Sequence, residues 1–212
     1  MKNLKYYLLA ALCTFAATTF TSCNDDDDNN NVSTLRALTD AEKALYSSTI
    51  NGTYNGYLLY VKPEATKVDS IATTWTVDMT ESKLRIPNFP VQIIGNMTYN
   101  EDVKALLQEA GEQELTANVY IPEQEYNEFI TAGVYRYTVY PTDGQMKFTV
   151  NDKTVAINFY TSILLGNVRY AAMAAIQKGE FTCNLIVRDV AVDYQTYSVN
   201  NLLVLSYVPN ND

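Results

Sequence analysis

The sequence predicts a mainly β domain, an antiparallel sandwich or partly open barrel with two to three short helices. Three observations predict it. Apolar residues recur at every second position in IATTWTVDM, QMKFTV and KTVAINFY, the spacing of strands with one buried face. Tight-turn residues punctuate these runs: the TDG segment ending at Gly144, the pair Asn151 and Asp152, and the pair Lys178 and Gly179. Helical periodicity is confined to short stretches and is strongest in NEDVKALLQEAG.

In chain order, residues 1–22 read as an export signal. Lys2 and Lys5 form a basic start, an apolar run follows from Tyr6 to Ala17, and the small residues Thr21 and Ser22 precede Cys23. The run is too short to span a bilayer stably. Residues 23–36 read as a solvated tether, because the NDDDDNNN segment repels itself and buries nothing. It lacks the alternating oxygens and turn glycine of an EF-hand loop. Residues 37–212 are then one domain, since about 175 residues suit a single core.

Thr39 and Glu42 form a capping box that starts a helix through LTDAEKALYSSTI, with Ala41, Ala44, Leu45 and Ser48 as its weakly apolar face, lying across a sheet edge or barrel mouth. GTYNGYLLYV and IATTWTVDM are strands, and Trp75 falls on the apolar face of the second, a core position. KLRIP and PVQIIG are expected as short strands, kept to edges or bulges by Pro87 and Pro90. Asn100 caps a helix whose stripe is Val103, Leu106, Leu107 and Ala110, and Gly111 ends it. ELTANVYIP returns to strand, EQEYNEFIT suggests one or two helical turns, and Glu123, Glu125 and Glu128 fit an exposed helix start. VYRYTVYP, QMKFTV and KTVAINFYTS read as a three-stranded meander. The run from Val168 to Ile176 reads as strand, with Lys178 and Gly179 turning it into FTCNLIV. VNNLLVLSYV, apolar on both faces, suits a central covered strand.

Composition narrows the chemistry. The chain carries 15 Lys and Arg against 24 Asp and Glu, a net charge of −9, and losing Lys2 and Lys5 with the leader takes it to about −11. Such a body repels nucleic acid and anionic headgroups. There is no histidine, which removes Ser-His-Asp and Cys-His catalysis and imidazole metal sites. No phosphate loop, dinucleotide fingerprint or CxxC pair occurs, so no cofactor is implied and no metal site is expected. Cys183 shares a face with Phe181, Leu185 and Val187, which reads as a buried thiol.

Tyrosine is the compositional excess, at 17 residues. A flat apolar ring with a hydrogen-bonding tip suits contact with sugars or a partner protein, and the same residue also suits half-exposed strand faces. Tyr54, Tyr57, Tyr60, Tyr135, Tyr137 and Tyr140 recur near two strand starts and are the candidate ligand-binding residues; no catalytic residue stands out.

The segment Phe20, Thr21, Ser22 and Cys23 resembles the lipobox of bacterial lipoproteins, with Phe20 in place of the usual aliphatic residue. Asp25 to Asp28 after the thiol resemble the export signal of Bacteroidetes surface lipoproteins. Together with the Gly52, Tyr54, Gly56 strand start and the closing LLVLSYV, the plan resembles roughly 200-residue Bacteroidetes surface lipoproteins of an uncharacterised, domain-of-unknown-function family, some calycin-like. The resemblance implies lipidation at Cys23, an outer-membrane address facing the exterior, and membrane contact through that anchor. The function expected is non-enzymatic binding of a glycan or other surface ligand. The alternatives are a structural or assembly subunit of a surface complex, for which Arg36 would be a processing site, and a carboxylate-based hydrolase if two acids converge in a pocket.

Overall fold

The computed structural model describes residues 34–62, 68–165, 168–199 and 202–209; the leader, Cys23 and most of the tether lie outside them. The described residues start inside the span expected as tether. Strand β1 (Leu35–Ala37) pairs antiparallel with β6 (Gln124–Tyr126), Leu35 opposite Tyr126. Arg36 is engaged there: its guanidinium donates to both oxygens of Glu42, at 2.9 and 2.5 Å, and to Asn127 Oδ1 at 3.3 Å.

Helix α1 (Asp40–Ile50) opens on the predicted capping box, with Thr39 N donating to the Glu42 carboxylate at 2.8 Å and Glu42 N to the Thr39 hydroxyl at 3.3 Å. Its buried face is Tyr46 and Ile50, one turn apart, and Leu45 is exposed, contrary to the expected stripe. Burying the two large side chains removes more apolar area from water than burying alanines, so the helix rolls to point them at the barrel.

Glu42 ties this corner together. Hydrogen bonds from Arg36, then from the Thr39 backbone and hydroxyl, hold its carboxyl at about 2, well below the ordinary 4.5. A depressed carboxyl stabilises the fold above the ordinary value and loses that contribution as pH falls through the depressed one. Between about pH 4.5 and 2, backbone amides of Leu35–Ala37 and the first turn of α1 are therefore expected to lose hydrogen-exchange protection. In Glu42→Gln the same loss is expected already at pH 7; protection unchanged in that variant would contradict the assignment.

Eight strands form an antiparallel barrel: β2 (Gly52–Val61), β3 (Val68–Asp78), β4 (Lys83–Pro90), β5 (Glu112–Tyr120), β7 (Val134–Pro141), β12 (Met173–Gln177), β13 (Glu180–Val192) and β15 (Leu202–Tyr207). Their order is β12-β7-β5-β4-β3-β2-β15-β13, and β13 closes the ring by pairing with β12 from Ala174↔Cys183 to Gln177↔Glu180. Closure leaves no edge in the ring at those positions. As expected, β15 is a covered central strand, held between β2 and β13 and buried along its middle.

Inward positions fill the barrel rather than hollow it. Trp75 is fully buried, stacks on Tyr54 (5.7 Å, 15°) and tilts against Phe181 (5.2 Å). Gly56 makes room for it, because a Cβ at that position would stand 2.6 Å from the indole and 2.3 Å from the Ser206 carbonyl oxygen. Cys183 is buried as expected, and burial pushes its thiol well up.

β13 is longer than the barrel needs. A register shift between Val187 and Asp189 turns its second half into a side sheet with β8 (Gln145–Val150), β9 (Lys153–Tyr160) and β14 (Gln195–Ser198). This corrects the meander: β8 and β9 pair, but β7 pairs with β5 and β12. Asp143 (φ +58°) and Gly144 (φ +69°) redirect the chain between the two sheets instead of closing a hairpin. The run expected as one strand from Val168 is two, β11 (Val168–Ala171) and β12, the first pairing with β10 (Ser162–Leu165). Lys178 and Gly179, both left-handed, make the predicted β12–β13 turn.

Helices close the ends. The barrel end holding Gly52, Asp78 and the β12–β13 turn is capped by α1. The opposite end is capped by α2 (Gln92–Gly95) and α3 (Glu101–Ala110). PVQIIG was expected as strand; a helical turn instead sends both Ile93 and Ile94 into the core, where alternation would expose one of them. Gly95 lets α3 approach, since a Cβ there would sit 3.1 Å from the Lys104 carbonyl oxygen. α3 matches expectation: Asn100 Oδ1 accepts from Val103 N at 2.9 Å, and Val103, Leu106 and Leu107 are buried.

The connection from β5 to β7 forms a strap outside the barrel, β6 followed by α4 (Asn127–Thr131). Glu125, expected as part of an exposed helix start, is 1% exposed and makes a two-point ion pair with Arg136, itself 16% exposed. The Arg136 guanidinium also lies 4.0 Å from the Phe129 ring centroid. β1 seats on this strap, so the chain enters the domain at the α1 end.

Candidate functional site

The barrel wall is zipped unevenly. β2 and β3 pair from Gly52↔Val77 to Val61↔Val68, whereas among the described residues β3 pairs with β4 at Thr76, Val77 and Asp78 alone. Two features of β4 stop the ladder. Pro87 has no N–H to donate, and a register shift against β5 between Ile86 and Phe89 pushes Pro87 and Asn88 outward. The wall opens there into a groove of about 490 Å³ whose lining includes Asn55, Tyr57, Thr74, Pro87, Asn88 and Glu112. Its volume falls in the range of small-ligand sites.

Strand parity decides which side chains line it. In β2, Tyr54, Gly56 and Leu58 face inward, so Asn55 and Tyr57 face out. Tyr57 is 48% exposed, and its cross-strand neighbours, Ala72 on β3 and Ser206 on β15, are both small. Thr74 lies opposite Asn55 and donates its hydroxyl to Asn55 Oδ1 at 2.9 Å. The amide is thereby oriented with its NH₂ as the remaining polar group. Glu112 opens β5 opposite Pro90, next to the bulge, and is exposed.

The six candidate tyrosines do not meet on the surface. Tyr57 alone of them lines the groove. Tyr54, Tyr60 and Tyr137 belong to the barrel core. Burial pushes the Tyr54 phenol up to about 12 and that of Tyr137 further, while their hydroxyls donate to the Ile50 and Tyr46 carbonyl oxygens at 2.7 and 2.8 Å. Tyr135 packs edge-on against Tyr46 at 5.0 Å, and Tyr140 reaches the Phe159 carbonyl oxygen at 3.3 Å. Tyr54, Tyr135 and Tyr137 do share one end of the fold, but inside it, where they hold α1 against the mouth. Asn55, Thr74, Asn88 and Glu112 were not among the candidates. The polar outward positions of alternating strands and the prolines that break β4 were their available signals.

A second cleft, about 310 Å³, lies between α3 and the side sheet, lined in part by Asp102, Glu109, Lys153 and Tyr197. Its two acids, Asp102 and Glu109, stand two helical turns apart on α3. Glu109 is moreover tied to the Asn151 amide. The wall groove carries a single carboxylate, Glu112, among its lining residues. Among its lining residues the wall groove therefore lacks the carboxylate pair that a glycoside hydrolase uses. Among the described residues no group of three or more Cys, Asp or Glu side chains is placed to hold a metal. What the groove can do is hydrogen-bond and stack.

A family model described as Domain of unknown function (DUF4840) matches residues 49–192, from the end of α1 to the end of β13. No curated protein and no solved structure matches the chain.

Proposed function

The chain belongs to the DUF4840 family, and from that premise we propose that it is a lipid-anchored, non-enzymatic binding protein of the bacterial outer surface whose ligand site is the groove between β3 and β4. The groove carries the reading: an exposed Tyr57 ring beside an oriented Asn55 amide, Asn88 and Glu112 offers one stacking face and several hydrogen-bonding groups, the combination suited to a glycan. The likeness of residues 20–28 to the export signals of Bacteroidetes surface lipoproteins supports the anchor, with residues 1–22 removed and Cys23 acylated. Topology suits that placement. The tether joins the domain at the α1 end, and the groove runs from mid-wall towards the opposite end, where the Pro87 bulge and Glu112 lie. A ligand approaching from outside would meet the groove rather than the anchor.

The test couples address and binding. Mass spectrometry of the native protein should find a triacyl or diacyl Cys23 as the first residue, and Cys23→Ser should move the protein from membrane to soluble fractions. Tyr57→Ala should keep the far-UV circular dichroism and lower glycan affinity about fivefold or more, since aromatic stacking of this kind contributes on the order of 1 kcal/mol or more. An unmodified thiol would remove the anchor, and binding indifferent to Tyr57 would remove the site.

A further inference from the structure

Resting on that binding reading, we infer that the groove takes a neutral glycan and turns acidic glycans away, with Glu112 as the residue that sets the charge preference. The lining has one carboxylate and no lysine or arginine. Sulfated or uronate-bearing sugars are held by guanidinium and ammonium groups, which supply both charge and donors. Here an acidic ligand would meet Glu112 in the groove and, around it, a chain whose net charge of −9 falls to about −11 once Lys2 and Lys5 leave with the leader.

The groups present fit a neutral sugar one by one. Tyr57 faces outward between Ala72 and Ser206, small neighbours that leave the ring available for the apolar face of a pyranose. Asn55 has its oxygen committed to the Thr74 hydroxyl, so its NH₂ group donates to a ligand oxygen. Asn88 stands out of the ladder on the bulge, where its amide can both donate and accept. Glu112 is acceptor only, and its two oxygens can take the hydroxyl protons of a vicinal diol, bonds strengthened by the charge. Neutral hydroxyls that both donate and accept satisfy all three. A carboxylate or sulfate satisfies the two amides and opposes the third.

The experiment uses the full chain on an array of neutral gluco-, manno- and galacto-oligosaccharides printed beside their sulfated and uronate-bearing counterparts, with titration calorimetry on the hits. At least one neutral glycan should bind, with its acidic counterpart at least tenfold weaker. Glu112→Gln, which keeps shape and removes charge, should bring the two within about threefold, and Tyr57→Ala should weaken the neutral ligand about fivefold or more with the melting profile unchanged. Acidic counterparts that bind as well or better, or a preference unmoved by Glu112→Gln, would overturn the charge inference and leave the binding reading standing. Binding restricted to a cationic probe such as spermine would overturn it as well. No binding to any printed glycan would overturn both.

Discussion

Trp75→Ala is expected to cost the domain about 3–5 kcal/mol, the usual toll for deleting a large buried aromatic. Trp75 is fully buried and is the contact between three walls: it stacks on Tyr54 of β2, leans on Phe181 of β13 and lies beneath Gly56. The void left behind is walled by strands already fixed by the closed ladder, so it can collapse only in part. Trp75→Phe should cost much less than the alanine change. Part of the volume is kept, and the indole N–H, buried with no hydrogen-bond partner among the described residues, is removed together with its desolvation penalty. Urea denaturation of the three proteins measures this, and equal losses for alanine and phenylalanine would show that the ring contacts are not what matters. The converse change, Gly56→Ala, presses a methyl into the same indole and should cost about 1–3 kcal/mol by overpacking.

Arg136→Met is expected to be comparably damaging, again about 3–5 kcal/mol, for an electrostatic reason. Glu125 is almost wholly buried and keeps its charge solvated by Arg136 Nε at 2.8 Å, by a second bond from Arg136 Nη2, and by the Tyr126 amide at 2.8 Å. Removing the guanidinium leaves a carboxylate in a nearly dry site with one donor, and also strips the cation from the face of Phe129. Replacing both members, Glu125→Met with Arg136→Met, should recover most of the loss, because an uncompensated buried charge costs more than the pair contributes. A double variant no more stable than Arg136→Met would refute that account. The strap is also where β1 docks, so the single variant should expose Leu35–Ala37 to protease cleavage while Trp75 fluorescence, reporting the barrel core, stays native below the main transition.

Much of this fold was legible residue by residue. The capping box at Thr39 and Glu42, the Asn100 cap with its Val103, Leu106 and Leu107 stripe, the Lys178–Gly179 turn, the burial of Trp75 and Cys183 and the covered closing strand all followed from local periodicity and cap chemistry. The misreadings share one cause. The PVQIIG segment, the face of α1, the meander and Glu125 were each decided by what arrives from far along the chain: Ile93 and Ile94 by a barrel end to fill, Tyr46 by Tyr135 and Tyr137, β7 by β5 and β12, and Glu125 by Arg136.

The same division holds for the groove. That Asn55 and Tyr57 point one way along β2 and Tyr54 the other is a property of a two-residue repeat, and the amino-acid order alone determined it. So did the break at Pro87, which cannot donate to a ladder wherever it is placed. That β3 and β4 part company beside Tyr57, and that Glu112 arrives at the same opening from beyond two helices, was settled only when the strands closed into a ring. Pairing between distant strands depends on the shape of the whole core, and no local pattern encodes which neighbour a strand will find.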